Sequence, residues 1–158
     1  MKNYFQPKLF LCALTLLVIP FVCLAEEETL TYEPSWLTTV YDTDVLMFKQ
    51  SSDGVQLGNM TVEIHDISTP SLRPTCPTET GNANELKLAQ SVKAFIVEQM
   101  NKSTDDKVTV SVSEKQSYRR VKGTITVGKV SLSNLLIVED YAVRLTSKPS
   151  KDYWCYKK

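Results

Sequence analysis

Met60-Thr61-Val62-Glu63-Ile64-His65-Asp66-Ile67-Ser68-Thr69-Pro70-Ser71 is the stretch on which the fold turns. Its first six residues alternate apolar and polar, the period-two pattern of a strand with one buried face. His65, on that alternating strand, reads as a structural or surface residue. Pro70, Pro74 and Pro77 follow. Proline has no N–H to give a ladder, so an extended loop is expected there.

Upstream, residues 36–41 are rich in β-branched and aromatic side chains and predict a strand. A tight turn around Asp42-Thr43 leads into a second strand at Val45-Leu46-Met47-Phe48, and Ser51-Ser52-Asp53-Gly54 is a turn signal. Downstream, Asn82 and Glu85 have the spacing of a capping box. Leu88, Val92, Phe95, Ile96 and Met100 then recur at helical spacing and predict one apolar face. Val108, Val110 and Val112 alternate with Thr109, Ser111 and Ser113, a strand. Residues 118–127 predict the next strand, which Gly128 ends. Ser131 opens a short helix, and residues 142–145 are expected to be extended. The order is three strands, a helix, two strands and a helix. It predicts an α+β fold, mainly β: a five-stranded OB-fold barrel with two to three packed helices.

The chain starts with Lys2 and Lys8, an apolar run over 9–24, Ala25, and then Glu26-Glu27-Glu28. That pattern predicts a secretory signal peptide over 1–25. A membrane anchor is the competing reading, but the run contains Pro20 and falls short of the roughly 20 residues a span needs. Residues 26–34 are expected to be a flexible acidic leader and 35–158 one domain. No membrane span is expected after cleavage, and the product is expected in the periplasm or outside the cell. The whole chain carries 18 basic and 18 acidic residues. Residues 1–25 hold two lysines and no acid, so the mature chain is left with a net charge of about −2. Nucleic-acid binding draws on a basic field, which this composition does not provide.

Of four cysteines, Cys12 and Cys23 lie within 1–25. Cys76 and Cys155 remain, an even pair in an exported chain, and a disulfide between them is expected. Two cysteines and one histidine make a poor metal-ligand inventory.

Several segments, in this order, resemble the staphylococcal-nuclease-like (thermonuclease) family. Val40-Tyr41-Asp42-Thr43-Asp44-Val45 is similar to its first motif, and the strand ending at Thr69-Pro70 to its Thr-Pro loop. Tyr118-Arg119-Arg120 is similar to its Tyr-Gly-Arg segment, and residues 131–137 to the helix after the barrel. A cysteine shortly after the Thr-Pro loop and a late Trp154-Cys155 match exported bacterial members. The resemblance covers roughly residues 36–155. It implies that Asp44 stands at the first Ca²⁺ aspartate, Asp42 at its supporting neighbour, and Thr69 where a backbone carbonyl faces the metal. Arg120 stands at a phosphate-holding arginine. Three positions depart from the family. Ser68 replaces the second metal aspartate, Ser71 the water-activating glutamate, and Glu63 an arginine.

A serine hydroxyl is a weak Ca²⁺ ligand beside a carboxylate. Losing a positioned base typically costs about 10²–10⁴ in rate. Glu63 would set a negative charge against a phosphate instead of a charge-assisted contact. The expectation is therefore a secreted, nuclease-like protein impaired in catalysis, a monomer acting by binding a protein or other partner. The alternative is an active Ca²⁺-dependent nuclease on DNA or RNA, with a shifted site drawing on Asp44, Asp66, Arg73 and Arg120.

Overall fold

The structure is a computed structural model that describes residues 28–53, 55–103, 107–147 and 149–157. The expected signal peptide lies outside these residues, as do Cys12 and Cys23. The elements in order are β1 (Thr29–Tyr32), a 3₁₀ turn (Pro34–Trp36), β2 (Leu37–Asp42), β3 (Val45–Ser52), β4 (Val55–Ile64) and β5 (Ile67–Ser68). Then come α1 (Glu79–Lys102), β6 (Val108–Ser117), β7 (Arg120–Val127), β8 (Val130–Ser131), α2 (Leu132–Val138), β9 (Val143–Arg144), a second 3₁₀ turn (Leu145–Ser147) and α3 (Tyr153–Tyr156). The fold is α+β and mainly β, as the element order predicted.

One sheet carries the molecule, in the order β1-β6-β7-β4-β3-β2, with β8 added beside β7. Its pairs are antiparallel except β4 with β7, which run parallel from Thr61↔Arg120 to Ile64↔Gly123. That pairing sets Glu63 opposite Lys122 and brings Arg120 within reach. β5 and β9 form a separate two-stranded ribbon.

The two edge strands β1 and β2 do not pair with each other, and no closed barrel forms among the described residues. They are nevertheless consecutive in the chain. Tyr32 and Leu37 are five residues apart, which spans at most about 17 Å. Six strands laid flat at about 4.8 Å spacing would put the edges roughly 24 Å apart. The sheet therefore has to curl. The curl is visible in a contact: Tyr32 of β1 stacks on Phe48 of β3, ring centroids 4.8 Å apart, although three strands separate β1 from β3 in the sheet.

The concave side holds the core. Leu46, Phe48, Val62, Val108, Val110 and Ile125 of the sheet are fully buried with Val92 and Ile96 of α1 and Leu132 and Leu136 of α2. Burial, with the Glu28 charge nearby, pushes the Tyr32 phenol up to about 12, so it stays neutral.

Three elements differ from the sequence reading. Residues 26–34, expected to be a flexible leader, contain β1. Leu30 and Tyr32 point inward, and β1 pairs in register with β6 from Thr29↔Ser111 to Tyr32↔Val108. Four residues are too short to register as a strand by alternation alone. The first helix begins at Glu79 rather than near Asn82, because the Thr78 side chain accepts from the Gly81 N–H and caps it. Asn82 instead accepts from the Cys76 amide, at 2.7 Å, and Glu85 turns into the interior. The tail forms α3 where no helix was expected, and the expected Cys76–Cys155 disulfide pins it. Among the described residues no helix is long and apolar enough to cross a membrane.

Candidate functional site

The β2–β3 hairpin, the end of β4 and the loop after β5 converge at one end of the sheet. Thr43, in the hairpin turn, is fully buried. Its hydroxyl has one proton, which goes to the Pro70 carbonyl, and it accepts from the Thr69 hydroxyl at 2.7 Å. The Thr-Pro loop is thus bolted to the hairpin by a residue that sequence reading passed over. Thr between two aspartates looked like ordinary turn chemistry.

Asp42 is turned toward that loop. Its Oδ1 accepts from the amides of Thr43 and Leu72, each at 2.9 Å, and its Oδ2 accepts from the Ser71 hydroxyl at 3.0 Å. Arg73 lies 3.7 Å from the same oxygen and stacks on Tyr41, whose hydroxyl accepts from its guanidinium. Ser71 is therefore held beside Asp42, and its hydroxyl in turn accepts from the Arg73 amide. Replacing Asp42 with alanine leaves two loop amides and a hydroxyl without their acceptor. The expected cost is about 2–3 kcal/mol, read as a lower urea midpoint and faster proteolysis within 69–73. An unchanged midpoint would show that the carboxylate does not hold this loop.

Beyond the hairpin opens a cleft of about 490 Å³, lined by Asp44, Glu63, His65, Asp66, Ser68, Thr69, Glu114 and Lys122 among others. Four carboxylates share it with one lysine and one histidine. The structure thus brings Asp44, Glu63, Ser68 and Thr69 together, and sets Asp42 and Ser71 behind the hairpin turn. His65 Nε2 meets Asp66 at 3.0 Å, and Asp66 adopts a positive φ of 69°. His65 Nδ1 has no partner among the described residues.

Arg120 does not stand free. Its Nη2 meets Glu63 Oε2 at 2.8 Å, and its Nε donates to Gln116 at 2.7 Å. Lys122 flanks the same carboxylate at 3.6 Å and reaches Glu114 at 3.7 Å. The pair is half-exposed, so it adds at most about 1 kcal/mol to stability. Its weight lies in charge neutralisation. Ser68 is engaged as well: the Trp154 indole N–H of α3 donates to its hydroxyl at 3.1 Å.

Asp44 is the perturbed acid of the cleft. Burial, then the charges of Asp42 and Glu63, push its carboxyl up from the ordinary range to about 6. A bond to the backbone and the Arg120 charge act in the opposite direction. An acid whose pKa rises on folding takes up protons as it folds, so stability falls as pH climbs from about 4 to 6. Asp44→Asn is therefore expected to stabilise the fold at pH 7 by about 1–2 kcal/mol, less than the full shift implies because the cleft is open to water. At pH 4 the gain should vanish. Urea midpoints of both proteins at the two pH values measure it, and an equal difference at both would refute the assignment.

Besides Thr43, sequence reading missed two participants. Glu85 is 8% exposed although charged. It lies one turn before Ala89 and two before Val92 on the face that enters the core, and its Oε1 accepts from the Ser71 amide at 2.9 Å. A glutamate in phase with the apolar stripe was the available signal. For Trp154 the signal was partial: the expected Cys76–Cys155 bond ties the tail to the loop after Pro70, but not the indole to Ser68. The chain matches no protein-family model and no curated protein.

Proposed function

We propose that this chain has the staphylococcal-nuclease type of OB fold and that its cleft has lost phosphodiester hydrolysis, leaving an exported protein that acts by binding a partner. The curled sheet, with its single parallel pair between β4 and β7 and a short link between its edges, supports the fold. The observation that carries the functional reading is the Arg120–Glu63 ion pair. In a working member two arginines would face the phosphate, because charge building on it needs fixed positive partners. Here one of those positions carries the acid that neutralises the other. Ser71, at the place of the general base, is bound to Asp42, and Ser68, at the place of a metal carboxylate, is bound to Trp154.

The acidic lining adds to this. Asp44, Glu63, Asp66 and Glu114 repel a phosphodiester more than Lys122 attracts it. The same lining is what an alternative reading would use: Asp44 and Asp66 as oxygen ligands of a Ca²⁺ ion in an active nuclease.

Plasmid DNA and RNA incubated with the oxidised domain, with Ca²⁺ and then with a chelator, separate the two. No cleavage is expected. The combined variant Glu63→Arg, Ser68→Asp, Ser71→Glu is expected to gain Ca²⁺-dependent cleavage, because it returns the base, the ligand and the phosphate contact together. Cleavage by the unmodified domain that needs Ca²⁺ and disappears in Asp44→Ala would establish the alternative.

A further inference from the structure

Glu85 poses a problem that the cleft does not solve. Its Oε1 is satisfied by the Ser71 amide. Its Oε2 lies 3.0 Å from Cys76 Sγ and 3.7 Å from Cys155 Sγ. Disulfide sulfurs have no proton to give, so this oxygen, on a residue more than nine-tenths buried, has no donor among the described residues. A buried carboxylate oxygen without a donor is costly, and its position calls for another partner.

We propose that, once the disulfide is reduced, Cys76, Cys155 and Glu85 form a binding site for a thiophilic divalent cation of the Zn²⁺ class. The three ligand atoms lie within 4.8 Å of one another. Around a tetrahedral ion with Zn–S near 2.3 Å and Zn–O near 2.0 Å, a sulfur and an oxygen stand about 3.5 Å apart and two sulfurs about 3.8 Å apart. The oxygen is already at that distance from both sulfurs, to within about 0.5 Å. Only the sulfurs have to separate, and their Cα atoms, 5.7 Å apart, leave room for side-chain rotation.

Cys155, itself buried, lines a cleft with Asn84, Leu88 and Lys157, the side from which a fourth ligand would enter to complete a tetrahedral set. Two thiolates and a carboxylate on one ion are a fitting donor set for zinc, which takes S, N and O ligands. The metal would then hold the loop before α1 to α3, as the disulfide does in the oxidised chain. Oxidation and metal binding become alternative closures of the same link.

The chemistry balances with a phosphine as reductant. The phosphine gives two electrons to the S–S bond and leaves as its oxide, with the oxygen drawn from water. The two protons of that water end on the two sulfurs. Zn²⁺ then displaces both thiol protons to solvent.

The test uses the mature chain, oxidised and phosphine-reduced, titrated with Zn²⁺ against a chromophoric chelator, with Co²⁺ absorption as a reporter of thiolate ligation. One ion per reduced chain and none per oxidised chain are expected. Glu85→Gln, which keeps the acceptor for Ser71, is expected to weaken zinc at least tenfold, whereas Glu79→Gln on the exposed first turn of α1 leaves it unchanged. Equal affinity in Glu85→Gln and wild type, or no stoichiometric uptake, overturns the proposal. Where reduction alone loosens the fold, zinc must restore the near-ultraviolet circular dichroism of the aromatics. Failure to do so also overturns it.

Discussion

Replacing Cys76 and Cys155 together with serine is expected to lower the stability of the domain by about 4–5 kcal/mol. The bond links residues 79 positions apart. Cross-linking a loop of that length removes roughly 15 cal/mol/K of entropy from the unfolded chain, the source of that figure. A domain of this size has an unfolding entropy near 0.27 kcal/mol/K, so the melting temperature should drop by about 15 °C. The native state loses something as well. Without the bond, α3 is held mainly by the buried Trp154, by its indole bond to Ser68 and by the Lys157 contacts with Asp140. Differential scanning calorimetry of wild type and the double variant measures the change. A shift under about 4 °C would mean that the loop is already ordered in the unfolded chain or that α3 docks without the bond.

Phe48→Ala is expected to cost about 3–5 kcal/mol. Phe48 is fully buried on β3 and lies against Tyr32, which belongs to the opposite edge of the sheet. Its ring fills the concavity that the curl creates, so removing it leaves a cavity between elements that cannot close without flattening the sheet. Phe48→Leu keeps most of the volume and should cost less than half as much. Urea midpoints read both, and a Phe48→Ala cost near 1 kcal/mol would show that the curled sheet collapses onto the gap. Net stabilities of domains are about 5–15 kcal/mol, so this variant combined with the loss of the disulfide, about 7–10 kcal/mol together, is expected to remove most of the domain's stability.

Much of the scaffold was legible in the chain. The alternation from Met60 to His65 gave a strand with Val62 and Ile64 inward, and both are buried. The spacing of Val92, Ile96 and Met100 gave the buried face of α1. Local period and local composition determine such elements, and both can be read without knowing what lies across from them. Gly81 and Asn82 show the limit. The helix cap was placed four residues late, because the Asn82–Glu85 spacing imitates a capping box while Thr78 supplies the cap. Which of two nearby candidates caps a helix depends on what else competes for their side chains. Here the Cys76 amide takes Asn82.

The candidate site was legible only as a set of positions. The resemblance, as an expectation, set Ser68, Ser71 and Glu63 where a nuclease would carry other residues. It did not show that Glu63 would grip Arg120, that Ser71 would lean on Asp42, or that Trp154 would reach Ser68. Those pairs span 57, 29 and 86 residues.

What the sequence determined by itself is the alternation of its strands, the face of its long helix, its near-neutral charge, and the pairing of Cys76 with Cys155. Each follows from the identity and order of neighbouring residues, or from a count. Only the tertiary structure decided that β1 joins β6 and curls the sheet, that Glu85 is buried against both sulfurs, and that Arg120 is neutralised. These depend on chain segments far apart in sequence being brought within a few ångströms. A side chain's charge and hydrogen-bonding partners are fixed by that environment, which no local pattern encodes.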